Sequence, residues 1–289
     1  MPLFGRPDGT LVSDLPRVRQ VMPYLMAGRN ESAVLHEALY DLSRTGPWLA
    51  AYNRSHAEPA TLFHLLVYAF ARALHERPGL NRFVSGGRIY QRGAVTVSFA
   101  AKYAFEDHAP FVTVKLAIPF ADDLPTLVGR VRRAVEGARS GRRGRVDMEL
   151  RLLLALPGFG IRGVMALLRR LDAWNLLPRS FLEPDPMYTS LFVANLGSVG
   201  IDNAYHHLYE YGTCSLFAAV GRAGPRVFAG AAGAEVRQGL RLGFTFDERI
   251  ADGHYCTAAL AIAQRVVEDP QGHLGPAEQV GAVSSRAGP

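Results

Sequence analysis

The stretch FTFDERIADG, residues 244–253, contains the most informative pattern in the chain. A strand predicted over 239–247 runs directly into three charged residues. Asp252 then precedes an apolar segment that extends to Glu268 and stops before Pro270, and an Asp carboxylate is a favoured N-cap of a helix. The stretch therefore predicts a strand, a short charged turn and a long helix in direct succession.

The rest of the chain alternates between the two-residue period of strands and the 3.6-residue period of helices. Further strands are predicted at 33–42, 94–101, 110–117, 188–195, 214–221 and 226–235. Helices are predicted from Thr61 to just before Pro78, at the apolar face Leu124, Leu127, Val128, Val131 and Val135, and twice within 148–177 with a break near Pro157. Helices between strands with several hairpin-like neighbours predict an α/β protein with a mixed sheet flanked by helices.

Length and composition favour one globular domain. The chain has 289 residues, of which 48% are hydrophobic and 20% charged, and this excludes a disordered or collagen-like protein. We predict an N-terminal arm over 1–15, a single domain over 16–270 and a flexible tail over 271–289. No signal peptide and no membrane span are predicted, and two cysteines are too few for a disulfide framework, so we expect a cytoplasmic protein.

Several motifs have both a functional and a structural interpretation. The net charge of +6 and the basic run 130–145 raise the possibility of nucleic-acid binding, but interleaved aromatic residues are missing, and we interpret the run as a solvated helix face. Adjacent residues such as His206 and His207 point apart on a strand or a helix, so a structural or interface role is favoured over a shared metal ion. His254 with Cys256 is interpreted as a coincidence, and NLGSVG at 195–200 as a tight turn.

Five segments, taken in order, resemble the catalytic domain of the dihydrolipoyl acyltransferases of 2-oxoacid dehydrogenase complexes, and more distantly chloramphenicol acetyltransferase. The segments are LPRVRQVMPYLM (15–26), RPGLNRF (77–83), LFVANLG (191–197), FTFDERIADG (244–253) and RVVEDP (265–270). The resemblance implies a chloramphenicol acetyltransferase-like fold and a homotrimer, with the possibility of a larger shell built from trimers. In the family, a histidine removes the proton from a thiol, and a serine hydroxyl stabilises the oxyanion that forms on the acyl thioester.

Both family positions are substituted in this chain. The resemblance assigns the histidine position to Glu248 and the serine position to Ala194, which is followed by Asn195. It also assigns a structural ion pair to Asp252, with Arg19 as the expected partner and Arg17 as the second choice. The candidate site residues are therefore Glu248, Asp252, Arg19, Asn195, His206 and His207.

The substitution of Glu for His weakens the base by a predictable amount. An unperturbed Glu, with a pKa of about 4.3, lies about 4 units below a thiol near 8.5, which is a deficit of about 5–6 kcal/mol for the proton transfer. Loss of an oxyanion donor typically costs a further factor of about 10² to 10³. Three hypotheses remain open: an acyltransferase with Glu248 as the acid or base, a catalytically silent homotrimeric scaffold or ligand-binding protein, and different chemistry in the same cleft.

Two further expectations concern ligands. No lipoyl domain and no subunit-binding domain are seen before residue 16, so we expect the acyl group to come from a thioester such as acyl-coenzyme A, with no bound cofactor and no metal.

The segment 150–177 is more apolar than a solvent-facing helix pair requires. It is interpreted as subunit packing or covered core, or else as an acyl-chain pocket or a dock for a hydrophobic partner.

Overall fold

The computed structural model describes residues 5–102, 111–141 and 151–281. The strands in these ranges are β1 (Gly9–Leu11), β2 (Ala33–Asp41), β3 (Arg82–Ser85), β4 (Arg88–Arg92), β5 (Thr96–Lys102), β6 (Phe111–Ala117), β7 (Leu191–Asn195), β8 (Leu216–Val220), β9 (Gly224–Gly230) and β10 (Gly233–Asp247). The helices are α1 (Arg17–Leu25), α2 (Thr45–Ser55), α3 (Leu62–Glu76), α4 (Leu124–Gly141), α5 (Gly158–Ala173), α6 (Arg179–Leu182), α7 (Gly253–Glu268) and α8 (Pro270–Leu274).

The main sheet is mixed, as the sequence predicts. Its strands follow the order β2-β10-β8-β7-β5-β6, and β9 pairs with the first part of β10. The pairs β5 with β7 and β7 with β8 are parallel, and the other pairs are antiparallel. A second, smaller antiparallel sheet has the order β1-β4-β3. The α/β fold class and the mixed sheet flanked by helices are confirmed.

Helices α3, α4 and α7 pack on one face of the main sheet. Thr61 and His64 form a capping box at the start of α3, and Asp252 caps α7 by accepting a hydrogen bond from the Tyr255 backbone N–H at 2.8 Å. The buried residues of α3 and α7 form a single apolar core with alternate residues of the strands, such as Val193 of β7 and Leu242 of β10. Capping and burial together hold α7 against the strand that precedes it.

The other face of the sheet carries a second, smaller core. Its buried members are Phe192, Leu208, Cys214 and Phe217. Ala194 packs against this cluster, because it lies two residues after Phe192 on β7 and therefore faces the same way. The segment between β7 and β8 covers this face of the sheet.

The β9–β10 hairpin differs from the sequence prediction. Strands over 226–235 and 239–247 imply a break at 236–238, whereas β10 runs without interruption from Gly233 to Asp247 and the turn lies at 231–232. Gly239 does not end the strand because it is paired on both sides, with Gly224 of β9 and Asp41 of β2. Gly233, with a φ of 128°, supplies the backbone conformation that the turn requires.

Helix α2 and the β3–β4 hairpin are among the elements that were not predicted. Helix α2 has only a weak apolar stripe, although Trp48 and Tyr52 are buried. The β3–β4 hairpin turns at Gly86 and Gly87, whose φ angles of 56° and 72° suit a two-residue hairpin turn. The predicted strands at 33–42, 94–101, 188–195 and 214–221 are found within two residues, except at the start of β7, and the predicted break near Pro157 is found at the N-cap of α5.

Within the described residues, the segments predicted as an N-terminal arm and a flexible tail both pack against the rest of the chain. In the arm, β1 pairs with β4, and Arg6 is buried. After Pro270 the chain forms α8 and then packs on α2, where Trp48 Nε1 donates to the Gly275 carbonyl at 3.1 Å. Ala277 is buried as well, so this segment belongs to the domain, while residues 282–289 lie outside the described range.

The basic run and the Leu-rich segment both lie at the surface. In α4, Arg130 pairs with Asp122 and Arg132 with Glu136, while the part of the run at 142–145 is outside the described residues. None of the sixteen residues of α5 is buried, and Phe159 has 79% of its surface exposed. Among the described helices, none combines the length and apolarity needed to cross a bilayer.

Candidate functional site

Glu248 lies at the junction between β10 and α7 and is half-buried. Its backbone N–H donates to the Ser32 carbonyl at 2.8 Å, and its own carbonyl accepts a hydrogen bond from Arg19 Nη1 at 2.6 Å. The second contact ties α1 to the turn that carries Glu248. The backbone at this position is therefore held from both sides, which restricts where the carboxylate can move.

The ion pair expected for Asp252 is present. Arg19 Nη2 lies 3.6 Å from Asp252 Oδ2, whereas Arg17 is exposed. Because 63% of the Asp252 side chain is exposed, this pair contributes at most about 1 kcal/mol. Arg19 acts mainly through its short contact with the Glu248 carbonyl, which is a charge-assisted hydrogen bond.

The two substituted positions are far apart within one chain. The register places Ala194 opposite Ala219, and Ala219 opposite Gly243. Gly243 lies on β10 and Glu248 directly follows the last residue of that strand, five residues after Gly243, so the two positions are separated by about 17 Å along the strand direction. A single reacting group could contact both positions only if two copies of the chain met.

The remaining candidate residues make structural contacts. Asn195 Oδ1 accepts a hydrogen bond from the Ser198 backbone N–H at 3.3 Å and stabilises the turn that follows β7. His206 stacks on Phe217 with ring centroids 3.7 Å apart, and burial lowers the pKa of its imidazole. His207 is exposed and its ring stacks beside that of His206. Neither histidine makes a hydrogen bond to Glu248 among the described contacts.

Among the described residues, the two cysteine thiols form no reactive group at the β10–α7 junction, and no metal site is found. Burial raises the pKa of the Cys256 thiol to about 12, and His254 is exposed, so a thiol–imidazole pair does not form. Burial also raises the pKa of Cys214. Among the described residues, no group of three His, Cys, Asp or Glu side chains could hold a metal ion.

A network of buried arginines includes Arg249, the residue that follows Glu248. Arg249 forms a two-point contact with Asp247, and Arg6 joins Asp8 at 2.6 Å and Asp172 at 2.8 Å. Burial lowers the pKa of Arg92, which pairs with Asp8, to about 10. This network could not be predicted from the sequence, because single arginines in a chain with 32 lysine and arginine residues form no recognisable pattern.

The side-chain amine of Lys115, on β6, gives a direct prediction of pH dependence. Lys115 Nζ donates to the carbonyls of Leu182 and Asp185 at 2.9 and 3.2 Å. Burial, and to a smaller extent the nearby Arg92, lower the pKa of Lys115 to about 8, against the opposing effect of the Asp185 carboxylate. The unfolded chain, with a lysine pKa of about 10.4, binds more protons above pH 8, so this group makes stability rise with pH between those two values.

The titration of Lys115 can be measured directly, because the chain has only one other lysine, Lys102. After reductive methylation with ¹³C-formaldehyde, the two lysines and the N-terminal amine each give a dimethylamine resonance, and we expect that of Lys115 to titrate near pH 8. Lys115→Gln should remove that resonance and so assign it. A resonance of Lys115 that titrates near the ordinary lysine value would contradict the buried position of the amine.

No protein-family model matches the chain, and neither does any curated protein sequence. Solved structures do match over nearly the whole length. A probable dihydrolipoamide acetyltransferase from Listeria monocytogenes 4b F2365 aligns with 89% of this chain and 94% of its own, at 16% identity and a TM-score of 0.59. The cubic core of a pyruvate dehydrogenase multienzyme complex aligns with 90% and 93%, at 15% identity and a TM-score of 0.59.

A chloramphenicol acetyltransferase aligns with 90% of this chain and 98% of its own, at 14% identity and a TM-score of 0.50. At such identities a match supports the fold and leaves the chemistry open. The chain has the chloramphenicol acetyltransferase-like fold of dihydrolipoamide acetyltransferase catalytic cores.

Proposed function

We propose that the protein is a homotrimeric acyltransferase that acts on an acyl thioester such as acyl-coenzyme A, with Glu248 as the proton acceptor. The observation that carries the proposal is the geometry of the β10–α7 junction. This junction keeps the Asp252 cap and the Arg19 contact and presents a half-buried carboxylate at the position that the resemblance assigns to the base.

In this reaction Glu248 takes the proton of an acceptor thiol. The acceptor sulfur forms a bond to the acyl carbon, the C–S bond of the donor breaks, and the donor thiolate leaves and is reprotonated. Glu248 has no serine partner for the oxyanion, because Ala194 offers only a methyl group. We therefore expect slow turnover compared with an enzyme that has both groups.

Assembly into a trimer is supported by two features of the surface. Ala194 and Glu248 lie on different parts of one chain, so a complete site needs a second copy. Apolar side chains of α1 are exposed, including Val18, Tyr24 and Leu25, and so are those of α5. Exposed apolar patches of this kind are typical of subunit interfaces. The similar cubic core is itself an assembly, and by analogy a larger shell built from trimers is also proposed.

The alternative is a catalytically silent trimer that binds a ligand or acts as a scaffold. The Ala194 side chain favours this alternative, because it packs against an apolar cluster and supplies no hydrogen-bond donor. The two proposals differ in whether bound acyl-coenzyme A is turned over.

The test combines native mass spectrometry with an acyl-transfer assay on several acyl-coenzyme A species and a dithiol acceptor. We expect a trimer that binds acyl-coenzyme A, and turnover that falls at least about tenfold in Glu248→Gln. Glu235→Gln, at the far end of β10, is the matched control and should keep full turnover. Equal turnover in both variants would contradict the role of Glu248, and binding without turnover would favour the silent trimer.

A further inference from the structure

A cavity of about 300 Å³ lies beside the junction that carries Glu248. It is formed by the end of α1, the β3–β4 turn, the end of α5 and the loop before β8. Its lining includes Arg29, Arg169, Arg249, Tyr188, Tyr211 and Gly86, and Glu248 is not part of it. The volume is at the lower end of the range for sites that bind small molecules.

Arg29 is the buried cation of this cavity, with 8% of its surface exposed. Its guanidinium donates to the carbonyls of Glu210 and Val84 at 3.0 and 3.2 Å, and its Nε has no partner. Since a guanidinium carries five N–H donors, most of its hydrogen-bonding capacity is unused. No carboxylate among the described residues lies within ion-pair distance of this guanidinium.

The acidic groups near Arg29 are already engaged. Asp247 pairs with Arg249, and Asp172 pairs with Arg6. The Glu210 carboxylate accepts the backbone N–H groups of Arg29 and Asn30 instead of the guanidinium. Burial lowers the pKa of Arg29, as expected for a cation removed from water without a direct counter-ion. A buried charge of this kind is costly unless an anion approaches it.

Two more groups at the cavity can contact an anion. Arg169 is exposed on α5, and among the described residues it has no ion-pair partner. The Tyr188 hydroxyl makes no hydrogen bond to a described residue, and burial raises its pKa, so it remains protonated and can donate. The turn beside them must be glycine, because a Cβ at Gly86 would overlap the Ala173 carbonyl.

We propose that this cavity is a binding site for a small oxyanion, a carboxylate or a phosphate group, contacted by Arg29 from the inside and by Arg169 from the rim. A planar guanidinium suits both kinds of oxyanion, since each presents two oxygens to the fork of N–H groups. The proposal concerns binding only and is independent of whether Glu248 transfers acyl groups.

The test is calorimetric titration of the intact protein with inorganic phosphate, with succinate and with succinamide, a neutral analogue of succinate. We expect phosphate or succinate to bind and succinamide not to bind. Whichever oxyanion binds more tightly identifies the class of ligand. Binding of succinamide as tight as that of succinate, or no binding of either anion at millimolar concentration, would overturn the proposal.

Three variants locate the site, and none of them removes the buried Arg29, whose loss could prevent folding. Arg169→Gln should weaken anion binding about tenfold, because a charge-assisted hydrogen bond is lost. Arg162→Gln, two turns earlier on the same helix, is the matched control, since Arg162 is exposed but does not line the cavity. Ala27→Glu, at the exposed mouth, should abolish binding by placing a carboxylate near Arg29. Equal weakening by the two arginine variants would mean unspecific attraction and would reject this site.

Discussion

Replacing Arg249 by methionine is expected to lower the free energy of unfolding by about 3–5 kcal/mol. Arg249 Nε and Nη2 contact the two oxygens of Asp247 at 2.8 and 2.7 Å, and the two side chains are 3% and 0% exposed. Methionine fills similar space but leaves the Asp247 carboxylate buried without a counter-ion. Arg249 also donates to the carbonyls of Met26 and Ala27, so the segment after α1 would lose two further hydrogen bonds.

The matched control is a surface pair on the same strand. Glu235 and Arg237 approach to 2.6 Å, but their side chains are 45% and 36% exposed. Glu235→Gln should therefore change the stability by less than about 1 kcal/mol. Urea unfolding at a fixed protein concentration measures both variants. A loss in Arg249→Met as small as in the control would mean that another group neutralises Asp247 after the substitution.

The parts of the structure that could be predicted depend on neighbours in sequence. Asp252 was predicted to cap a helix because an N-cap acts on a backbone N–H only three residues away, and the structure has this contact. Thr61 was likewise predicted at the start of α3, and the structure has it as the N-cap of that helix. The strand and helix periods of β2 and α4 were equally clear, since each element has one face in the core.

The parts that could not be predicted depend on the pairing of distant segments. The predicted strands imply a break at 236–238, whereas the pairing of these residues with β9 keeps β10 continuous. Trp48 gives little sign of its role until the C-terminal segment packs beside it. Arg29 and Arg249 look like surface residues in the sequence, because a buried arginine is identified only by the groups that the fold brings to it.

The sequence positions of the candidate site residues could be predicted, but the distance between them in the folded chain could not. The resemblance assigned Glu248 and Ala194 to the two substituted positions. Strand register then showed that they lie about 17 Å apart along the strands of one chain. A sequence cannot show this separation, because it depends on the offset between β7, β8 and β10. Because of this separation, an experiment that restores both groups also has to test whether they come from two different copies of the chain.

Restoring both substituted groups is expected to increase acyl transfer by a factor of about 10³ or more. In Glu248→His, an imidazole replaces the carboxylate, and since histidine is ordinarily the stronger base of the two residue types, proton removal from a thiol becomes easier and the rate rises by about tenfold. Ala194→Ser adds a hydroxyl that can donate to the oxyanion, for a further factor of about 10² to 10³. Ala194→Ser combined with Glu248→Gln is the control, and it should be at least about tenfold less active than Ala194→Ser alone because it lacks the base.

The same two substitutions test whether the site lies between subunits. Chains that carry only Ala194→Ser and chains that carry only Glu248→His are expressed together, so that the proposed trimer would contain both kinds of chain. If Ala194 of one copy meets Glu248 of the next, about a quarter of the sites in a random mixture contain both restored groups, and the mixture should be about two- to threefold more active than Ala194→Ser alone. Within one chain, the distance between residues 194 and 248 prevents both groups from contacting one acyl carbon. A mixture no more active than the average of the two variants would therefore contradict a site shared between two copies of the chain.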